Sequence, residues 1–222
     1  MILVPVKDLA KAKQRLSGML PQSARAEFAQ AMLQDVLESL LKFAGDEVIL
    51  VTSDPFAMEL AWSHGFGIVR DDSNLSETEA IAMATRVCEG RGIESTLVIP
   101  ADIPLIAVAE LEAIYANAPQ TGSVLVPAHD GRGTNAVLRR PAALFPLSFG
   151  NDSFLPHLAA AKTTDQPCVV LPQAGIGLDI DTPEDLQALV LAPGGKRSQL
   201  LAGRFLTPAA DFAKNDAVTA KS

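Results

Sequence analysis

Short runs of Val, Ile and Leu alternate with longer stretches whose apolar residues recur at helical spacing. Apolar runs of this kind are typical of strands buried on both faces of a parallel sheet. We predict strands at 2–6, 47–52, 66–69, 96–99, 122–127, 136–138 and 168–171. We predict helices at 21–43, 55–64, 77–88 and 108–118, and two more that begin within 149–157 and 182–186. This order of strands and helices predicts an α/β fold with a doubly wound, mostly parallel sheet.

Length and composition indicate a single domain. The chain has 222 residues, 48% of them hydrophobic, which is enough to bury a substantial core. We assign residues 1–192 to this domain and expect residues 193–222, which show little periodicity, to form a mobile tail. Cys88 and Cys168 have neither metal-ligand nor disulfide spacing. With no membrane-length apolar run and no leader, we expect a cytoplasmic protein without a membrane partner.

The charge is negative overall and unevenly distributed. The net charge of -8 argues against nucleic acid as a partner, since a nucleic-acid binder presents a basic surface. Up to residue 193 the chain holds 13 basic and 24 acidic residues, yet four of those 13 cations lie within 7–15. A cationic loop after the first strand is a phosphate site by position and charge, although a solvated basic helix turn would look the same. The glycine-rich phosphate loop of other nucleotide binders is absent.

Two acidic segments complement this loop. Asp102 follows the strand at 96–99 and is held between two prolines, where it could bind a metal-bound phosphate or cap the next helix. Asp179 and Asp181 would share one face of a short strand and repel each other unless a cation lies between them. Carboxylates without histidine or cysteine partners suit Mg²⁺. Together with Lys and Arg on a polyphosphate, they indicate nucleotidyl or phosphoryl transfer.

Two loops could bind a further anion. The segment 129–135 contains two glycines and a cation, but a hairpin turn would use the same glycines. The segment 149–157 opens a helix with Gly150 and Ser153 near its start, where capping by Asn151 or Asp152 is the alternative.

Five motifs together carry a family resemblance: Pro-Val-Lys-x5-Lys-x-Arg-Leu at 5–16, Ile-Pro-Ala-Asp-Ile-Pro at 99–104, Gly-Thr-Asn at 133–135, Phe-Gly-x2-Ser-Phe-x2-His at 149–157 and Leu-Asp-Ile-Asp-Thr-Pro-x-Asp-Leu at 178–186. The combination resembles the CofC/FbiD family over about residues 1–190. The resemblance implies a Rossmann-like, nucleotide-diphospho-sugar-transferase-like fold for the 1–192 domain. It also implies a guanylyltransferase of coenzyme F(420) biosynthesis. Such an enzyme condenses GTP with 2-phospho-L-lactate, phosphoenolpyruvate or 3-phospho-D-glycerate and releases pyrophosphate.

The resemblance also implies roles for individual residues. The GTP phosphates would bind to Lys7, Lys13 and Arg15, which with Asp102 form the expected catalytic set. Mg²⁺ would be held by Asp102, Asp179 and Asp181. The small acid would be held by Thr134, Gly150 and Ser153.

One loop departs from the family pattern. Where the family usually has Gly-Leu-Asn, this chain has Asn74-Leu75-Ser76, so the shorter Ser76 would replace an asparagine that contacts the nucleotide. Ser76 with Glu79 also forms a capping-box pattern. The polar side chains of Arg132 and His129 lie beside the acceptor loop in the sequence and could contact the acceptor. They favour an acceptor with an extra hydroxyl, which is 3-phospho-D-glycerate.

Two other functions would predict different features. A molybdenum-cofactor or sugar-phosphate nucleotidyltransferase would predict the glycine-rich loop that this chain lacks. A non-catalytic nucleotide-binding protein would bind GTP without releasing pyrophosphate, and retention of both acidic segments argues against it. Contact with the next enzyme of the pathway and self-association into a homo-oligomer stay open.

Overall fold

The computed structural model describes residues 1–73, 75–150 and 152–207. The strands are β1 Ile2–Val6, β2 Val48–Thr52, β3 Gly67–Val69, β4 Thr96–Val98, β5 Gly122–Pro127, β6 Thr134–Arg140 and β7 Cys168–Val170. The helices are α1 Gln22–Phe43, α2 Pro55–His64, α3 Glu77–Gly90, α4 Val108–Ala116, α5 Phe154–Lys162, α6 Ala174–Gly177, α7 Pro183–Leu191 and α8 Arg197–Leu206. Two 3₁₀ turns at 9–11 and 14–16 form the loop after β1.

The strands form one seven-stranded sheet in the order β3-β2-β1-β4-β6-β5-β7. All neighbouring strands run parallel except at β6, which is antiparallel to both β4 and β5. The α/β, mostly parallel prediction is therefore confirmed.

The sheet separates two apolar cores because alternate residues of each strand point to opposite faces. Ile2 and Val4 pack with α1 and α7 on one face, whereas Leu3 packs with α3 on the other. Burial on both faces explains why these strands read as continuous apolar runs.

The topology brings distant loops to one edge of the sheet. β1 and β4 are parallel, so their following loops leave at the same edge. Val98 of β4 pairs with Val137 of the antiparallel β6, so Thr134 at the beginning of β6 lies at that edge too. The basic loop, the loop of Asp102 and the loop of Thr134 therefore meet at the carboxyl ends of β1 and β4, where open α/β sheets bind ligands.

The expected mobile tail is wrong for residues 193–207, because α8 is an ordered helix that packs on α1 and α7. Its apolar side includes the fully buried Ala202, and the Phe205 ring meets Phe28 of α1 edge-on at 6.2 Å between centroids. Residues 208–222 lie outside the described residues. The 1–192 boundary is therefore too short for the folded unit.

The expected short strand at Asp179 and Asp181 is also wrong, since residues 178–181 form a loop between α6 and α7. Ile180 is nonetheless fully buried, whereas the aspartates before and after it stay half-buried. The predicted alternation of side chains holds without the strand.

Asp35 of α1 caps α8 from a distance. Its buried carboxylate accepts hydrogen bonds from the backbone N–H of Arg197 at 3.1 Å and from the backbone N–H and hydroxyl of Ser198 at 2.8 and 2.6 Å.

Asp35→Ala should lower the free energy of unfolding by about 2–4 kcal/mol, because charged hydrogen bonds are lost and buried donors are left unpaired. Urea denaturation would measure the change. The neighbouring substitution Glu38→Ala removes only a partly exposed ion pair with Arg197 and should cost under about 1 kcal/mol; equal losses in the two variants would contradict the capping role.

Candidate active site

Two cavities open side by side at the carboxyl edge of the sheet. The basic-loop cavity, about 560 Å³, is lined by residues of 5–13 together with Ala29 and Met32 of α1. The glycine-loop cavity, about 470 Å³, is lined by residues of 128–135 and 149–153 together with Arg15 and Asp179. Glu77, Pro100, Asp102 and Asp181 line both. Two ligands could therefore meet at this shared wall.

Backbone contacts hold the two acidic segments together. The Ile180 N–H donates to the carbonyl oxygen of Asp102 at 3.1 Å, which holds the segment of Asp179 and Asp181 next to that of Asp102. α4 begins only at Val108, so Asp102 does not cap it, and the capping alternative is ruled out. Thr182 caps α7, which begins within 182–186 as predicted, and Pro183 occupies its first position.

The Lys13 ammonium lies between the two acidic segments. Its Nζ donates to Asp102 Oδ2 at 2.7 Å and to Asp181 Oδ1 at 2.8 Å, and its side chain is only 6% exposed. Burial by itself lowers the pKa of Lys13, but the two carboxylates outweigh it and raise that pKa to about 12. Lys13 also has a left-handed backbone with φ of 54°, a conformation that costs a lysine about 1 kcal/mol. The fold thus holds Lys13 in a strained backbone conformation that keeps its ammonium in this position.

Arg15 and Lys7 extend the positive charge into the cavities. Arg15 Nη1 donates to Asp181 Oδ2 at 3.1 Å while about half of its side chain stays exposed in the glycine-loop cavity. Burial would raise the pKa of Asp181, yet Lys13 and Arg15 hold it below its ordinary value. Lys7 lines the basic-loop cavity.

Asp179 is held by Asn135. The Asn135 side-chain amide donates to Asp179 Oδ1 at 3.0 Å and to the carbonyl oxygens of Ile176 and Gly177 at 2.9 and 3.1 Å. Burial and then the negative charges of Asp102 and Asp181 raise the pKa of Asp179, opposed by the Asn135 hydrogen bond. A nearby cation would therefore stabilise the ionised carboxylate of Asp179.

Among the described residues, no three His, Cys, Asp or Glu side chains by themselves form a group that could hold a metal ion. Two carboxylates do converge, however, because Asp102 and Asp181 share the Lys13 ammonium. Mg²⁺ commonly binds through one or two carboxylates plus substrate phosphates and water. The donor set therefore fits Mg²⁺ bound together with a polyphosphate.

Thr134, Gly150 and Ser153 line the glycine-loop cavity together, as expected. The backbone N–H of Thr134 donates to Ser153 Oγ at 3.0 Å, which ties the beginning of β6 to the beginning of α5. The loop before β6 is also a tight turn, with the carboxylate of Asp130 accepting from the N–H of Arg132 at 2.8 Å. The turn is therefore present, and its residues Asp130, Arg132 and Gly133 also line the cavity.

Of the two polar residues expected to contact the acceptor, Arg132 and His129, only Arg132 lines the cavity. Arg132 lines the glycine-loop cavity, although its Nε donates to Asp152 at 2.7 Å. His129 does not line either cavity, and its Nε2 lies 3.7 Å from an Asp185 oxygen on α7. His129 therefore gives no reason to favour one acceptor over another.

Ser76 likewise lines neither cavity, and its Oγ accepts the Glu79 N–H at 3.1 Å as the N-cap of α3. Asn74 of the same loop lies outside the described residues. The neighbouring Glu77, which the sequence gave no reason to select, lines both cavities. Burial and then the negative charge of Asp102 raise the pKa of Glu77 to about 7, while Lys7 and Lys13 oppose the rise.

The raised pKa of Glu77 predicts a pH-dependent stability effect. Its ordinary value of 4.5 becomes about 7 in the fold, so ionising Glu77 destabilises the folded state as pH rises through that window. Without Mg²⁺, Glu77→Gln should be more stable than the wild type by about 3 kcal/mol at pH 8 and by under about 1 kcal/mol at pH 5. Urea unfolding at both pH values measures this. The exposed control Glu79→Gln should change stability by no more than about 0.5 kcal/mol, and an equal gain in both variants would contradict the prediction.

The mostly parallel sheet, the cation-rich loop and the carboxylates at the sheet edge define a nucleotidyltransferase. The fold is similar to that of a solved structure from Desulfovibrio desulfuricans G20 described as a nucleotide-diphospho-sugar transferase. That comparison has a TM-score of 0.75 at 19% identity and covers 97% of this chain and 94% of the other. None of the helices in the described part of the chain combines the length and apolar character that a membrane span requires.

The family follows from the sequence comparisons. Residues 1–206 match the family model described as guanylyl transferase CofC like, and the chain belongs to that family. A phosphoenolpyruvate guanylyltransferase of Sphaerobacter thermophilus is 34% identical over 88% of this chain and 95% of its own. A 3-phospho-D-glycerate guanylyltransferase of Colwellia psychrerythraea is 34% identical over 86% and 90%. A 2-phospho-L-lactate guanylyltransferase of Methanothermobacter thermautotrophicus is 31% identical over 89% and 86%. The resemblance to the CofC family is thus confirmed, and the protein is a GTP-dependent nucleotidyltransferase.

Proposed function

We propose that this protein condenses GTP with 3-phospho-D-glycerate to give a guanosine-diphospho product and pyrophosphate. The observation that carries the proposal is the pair of cavities that share Asp102 and Asp181, the two carboxylates bridged by Lys13. The basic-loop cavity suits the nucleotide, because Lys7, Lys13 and Arg15 at or beside it can neutralise a triphosphate. The glycine-loop cavity suits the smaller acid.

The reaction would be an in-line displacement at the α-phosphorus of GTP. An acceptor phosphate oxygen forms the new bond to the α-phosphorus, and the bond from the α-phosphorus to the oxygen bridging to the β-phosphorus breaks. That phosphate is already ionised near pH 7, so no general base is needed. The chain would supply alignment and charge neutralisation, with Lys7, Lys13 and Arg15 beside the departing pyrophosphate.

Asp102, Asp179 and Asp181 would hold Mg²⁺. When bound, the metal would neutralise phosphate charge. The convergence of Asp102 and Asp181 on one cation position and the raised pKa of Asp179 support this assignment.

The choice of 3-phospho-D-glycerate rests on the cavity's polar lining. The carboxylates of Glu77 and Asp130 both line the glycine-loop cavity and can accept a hydrogen bond from a hydroxyl group. 3-Phospho-D-glycerate carries a free hydroxyl, whereas phosphoenolpyruvate and 2-phospho-L-lactate carry none. The relatives bear all three acceptor names at 31–34% identity and favour none of them. The product would enter coenzyme F(420) biosynthesis, as the family resemblance implies.

The test uses the full chain with GTP and Mg²⁺, supplied with each of the three phospho-acids separately. Pyrophosphate release and product mass are measured, with ATP and CTP as nucleotide controls. We expect release with 3-phospho-D-glycerate to exceed that with the other two by at least about 10-fold, since a hydrogen bond to a charged group is worth about 1.5–3 kcal/mol. Release with only one of the other acids would overturn the acceptor, and GTP binding with no release would overturn the activity.

A further inference from the structure

His157 lies beneath the glycine-loop cavity, in the first turn of α5. Its side chain is buried, with 1% of the residue exposed, and the Phe149 ring meets it edge-on at 5.1 Å between centroids. Its two ring nitrogens contact different loops of the site, so its protonation can be read from its partners.

The backbone fixes which ring nitrogen carries the proton. The N–H of Ser148 donates to His157 Nε2 at 2.9 Å, so Nε2 must present its lone pair. A neutral imidazole then carries its proton on Nδ1. Burial and then the positive charge of Arg139 lower the pKa of His157 to about 4, which keeps the ring neutral near pH 7.

Nδ1 in turn determines the direction of its hydrogen bond with the Thr134 hydroxyl. It lies 3.0 Å from Thr134 Oγ1, and because it bears the proton, the threonine oxygen accepts in this contact. The hydroxyl proton of Thr134 must therefore point elsewhere, and Thr134 lines the glycine-loop cavity. Ser153 is in the same position, since its oxygen already accepts the N–H of Thr134. Both hydroxyls are left to donate.

We propose that His157 is a positioning residue that orients the Thr134 hydroxyl as a hydrogen-bond donor for the carboxylate of the acceptor. A carboxylate only accepts hydrogen bonds, so a hydroxyl turned to accept would repel it. Because the Nδ1–H of His157 occupies one lone pair of Thr134 Oγ1, the hydroxyl cannot donate to the ring, and its proton stays available to the ligand. The substrate side of this inference rests on the proposed function, but the orientation of the hydroxyl does not.

Two isosteric variants separate the two ring nitrogens. His157→Gln can place an oxygen near the position of Nε2 to accept from Ser148 but loses the donor to Thr134. His157→Asn can place an N–H near the position of Nδ1 and loses the Nε2 acceptor. We expect His157→Gln to raise KM for the phospho-acid about 10-fold with KM for GTP unchanged, and His157→Asn to raise it clearly less. In a Thr134→Val background, His157→Gln should add no further loss, because the hydroxyl it orients is gone.

The tautomer is tested independently of activity. Long-range ¹H–¹⁵N NMR spectra of the wild-type chain, with its three histidines assigned by single substitutions, should give a proton on Nδ1 and a bare Nε2 for His157 from pH 6 to pH 8. A proton on Nε2, or an imidazolium within that range, would overturn the inference. So would equal effects of the Gln and Asn variants, or parallel rises in both KM values. If no phospho-acid is turned over, the spectrum still decides the orientation while the proposed function fails by itself.

Discussion

Asp102→Asn should abolish turnover while leaving the fold intact. Asp102 lies on the wall shared by both cavities, and its Oδ2 accepts from the Lys13 ammonium. An asparagine keeps the shape and one acceptor oxygen but removes the charge that would bind Mg²⁺ and hold Lys13. We expect kcat to fall by roughly 10³-fold or more, because metal and charge stabilisation are worth several kcal/mol in such reactions. Pyrophosphate release at saturating GTP and acceptor measures it.

The fold should tolerate this change, since the Asp102 side chain is about one-third exposed and its backbone contact with Ile180 is retained. Thermal unfolding should therefore stay near that of the wild type. Asp165→Asn is a matched control: it removes one exposed carboxylate after α5 at a residue with φ of 54°, a conformation that asparagine readily adopts. It should keep full activity. Full activity in Asp102→Asn would refute the assigned role.

Lys13→Met should have the second largest effect. The substitution removes the ammonium between Asp102 and Asp181 and leaves two close carboxylates without their shared partner. Without Mg²⁺ the free energy of unfolding should fall by about 2–4 kcal/mol, less than for a fully buried pair because both carboxylates are about one-third exposed. The kcat/KM for GTP should fall at least about 100-fold, the effect of losing one charge-stabilising donor.

The same variant reports on the metal position. If Asp102 and Asp181 can hold a divalent cation, added MgCl₂ should raise the melting temperature of Lys13→Met more than that of the wild type, where the ammonium already neutralises them. Thermal unfolding with and without MgCl₂ measures both shifts. Lys162→Met, an exposed lysine in the last turn of α5, should respond to MgCl₂ as the wild type does. Equal shifts in all three proteins would contradict Mg²⁺ binding at these two carboxylates.

The first turn of α3 connects the two halves of the site. Ser76 caps the helix, Glu77 lines both cavities, and the Thr78 hydroxyl accepts the backbone N–H of Phe149 at 2.9 Å. This turn thus reaches both cavities through Glu77 and contacts the Phe149 loop of the glycine-loop cavity through Thr78. A substitution in this turn should alter the binding of both substrates. Glu77 is the position to test, because it lines both cavities whereas Ser76 lines neither.

The sequence alone determined the strands, most helix ends and the two faces of the core. These features depend on short-range rules: apolar runs bury strands, and a capping residue can satisfy the helix that follows it, as Thr182 does for α7. The sequence also placed a cationic loop and two acidic segments at strand ends. α8 escaped prediction because its N-cap, Lys196, makes no side-chain capping bond, and the next two amides are satisfied by Asp35, 162 and 163 residues earlier.

Only the tertiary structure decided how the site's charges pair. The sequence predicted a cation between Asp179 and Asp181, but the Lys13 ammonium lies between Asp102 and Asp181, which are 89 and 168 residues away along the chain. Glu77 and His157 also carry no local signal, because their importance comes from burial and from partners on other loops. The reason is physical: periodicity and capping act within a few residues, whereas hydrogen-bond geometry and pKa values depend on which loops the sheet order brings to one edge.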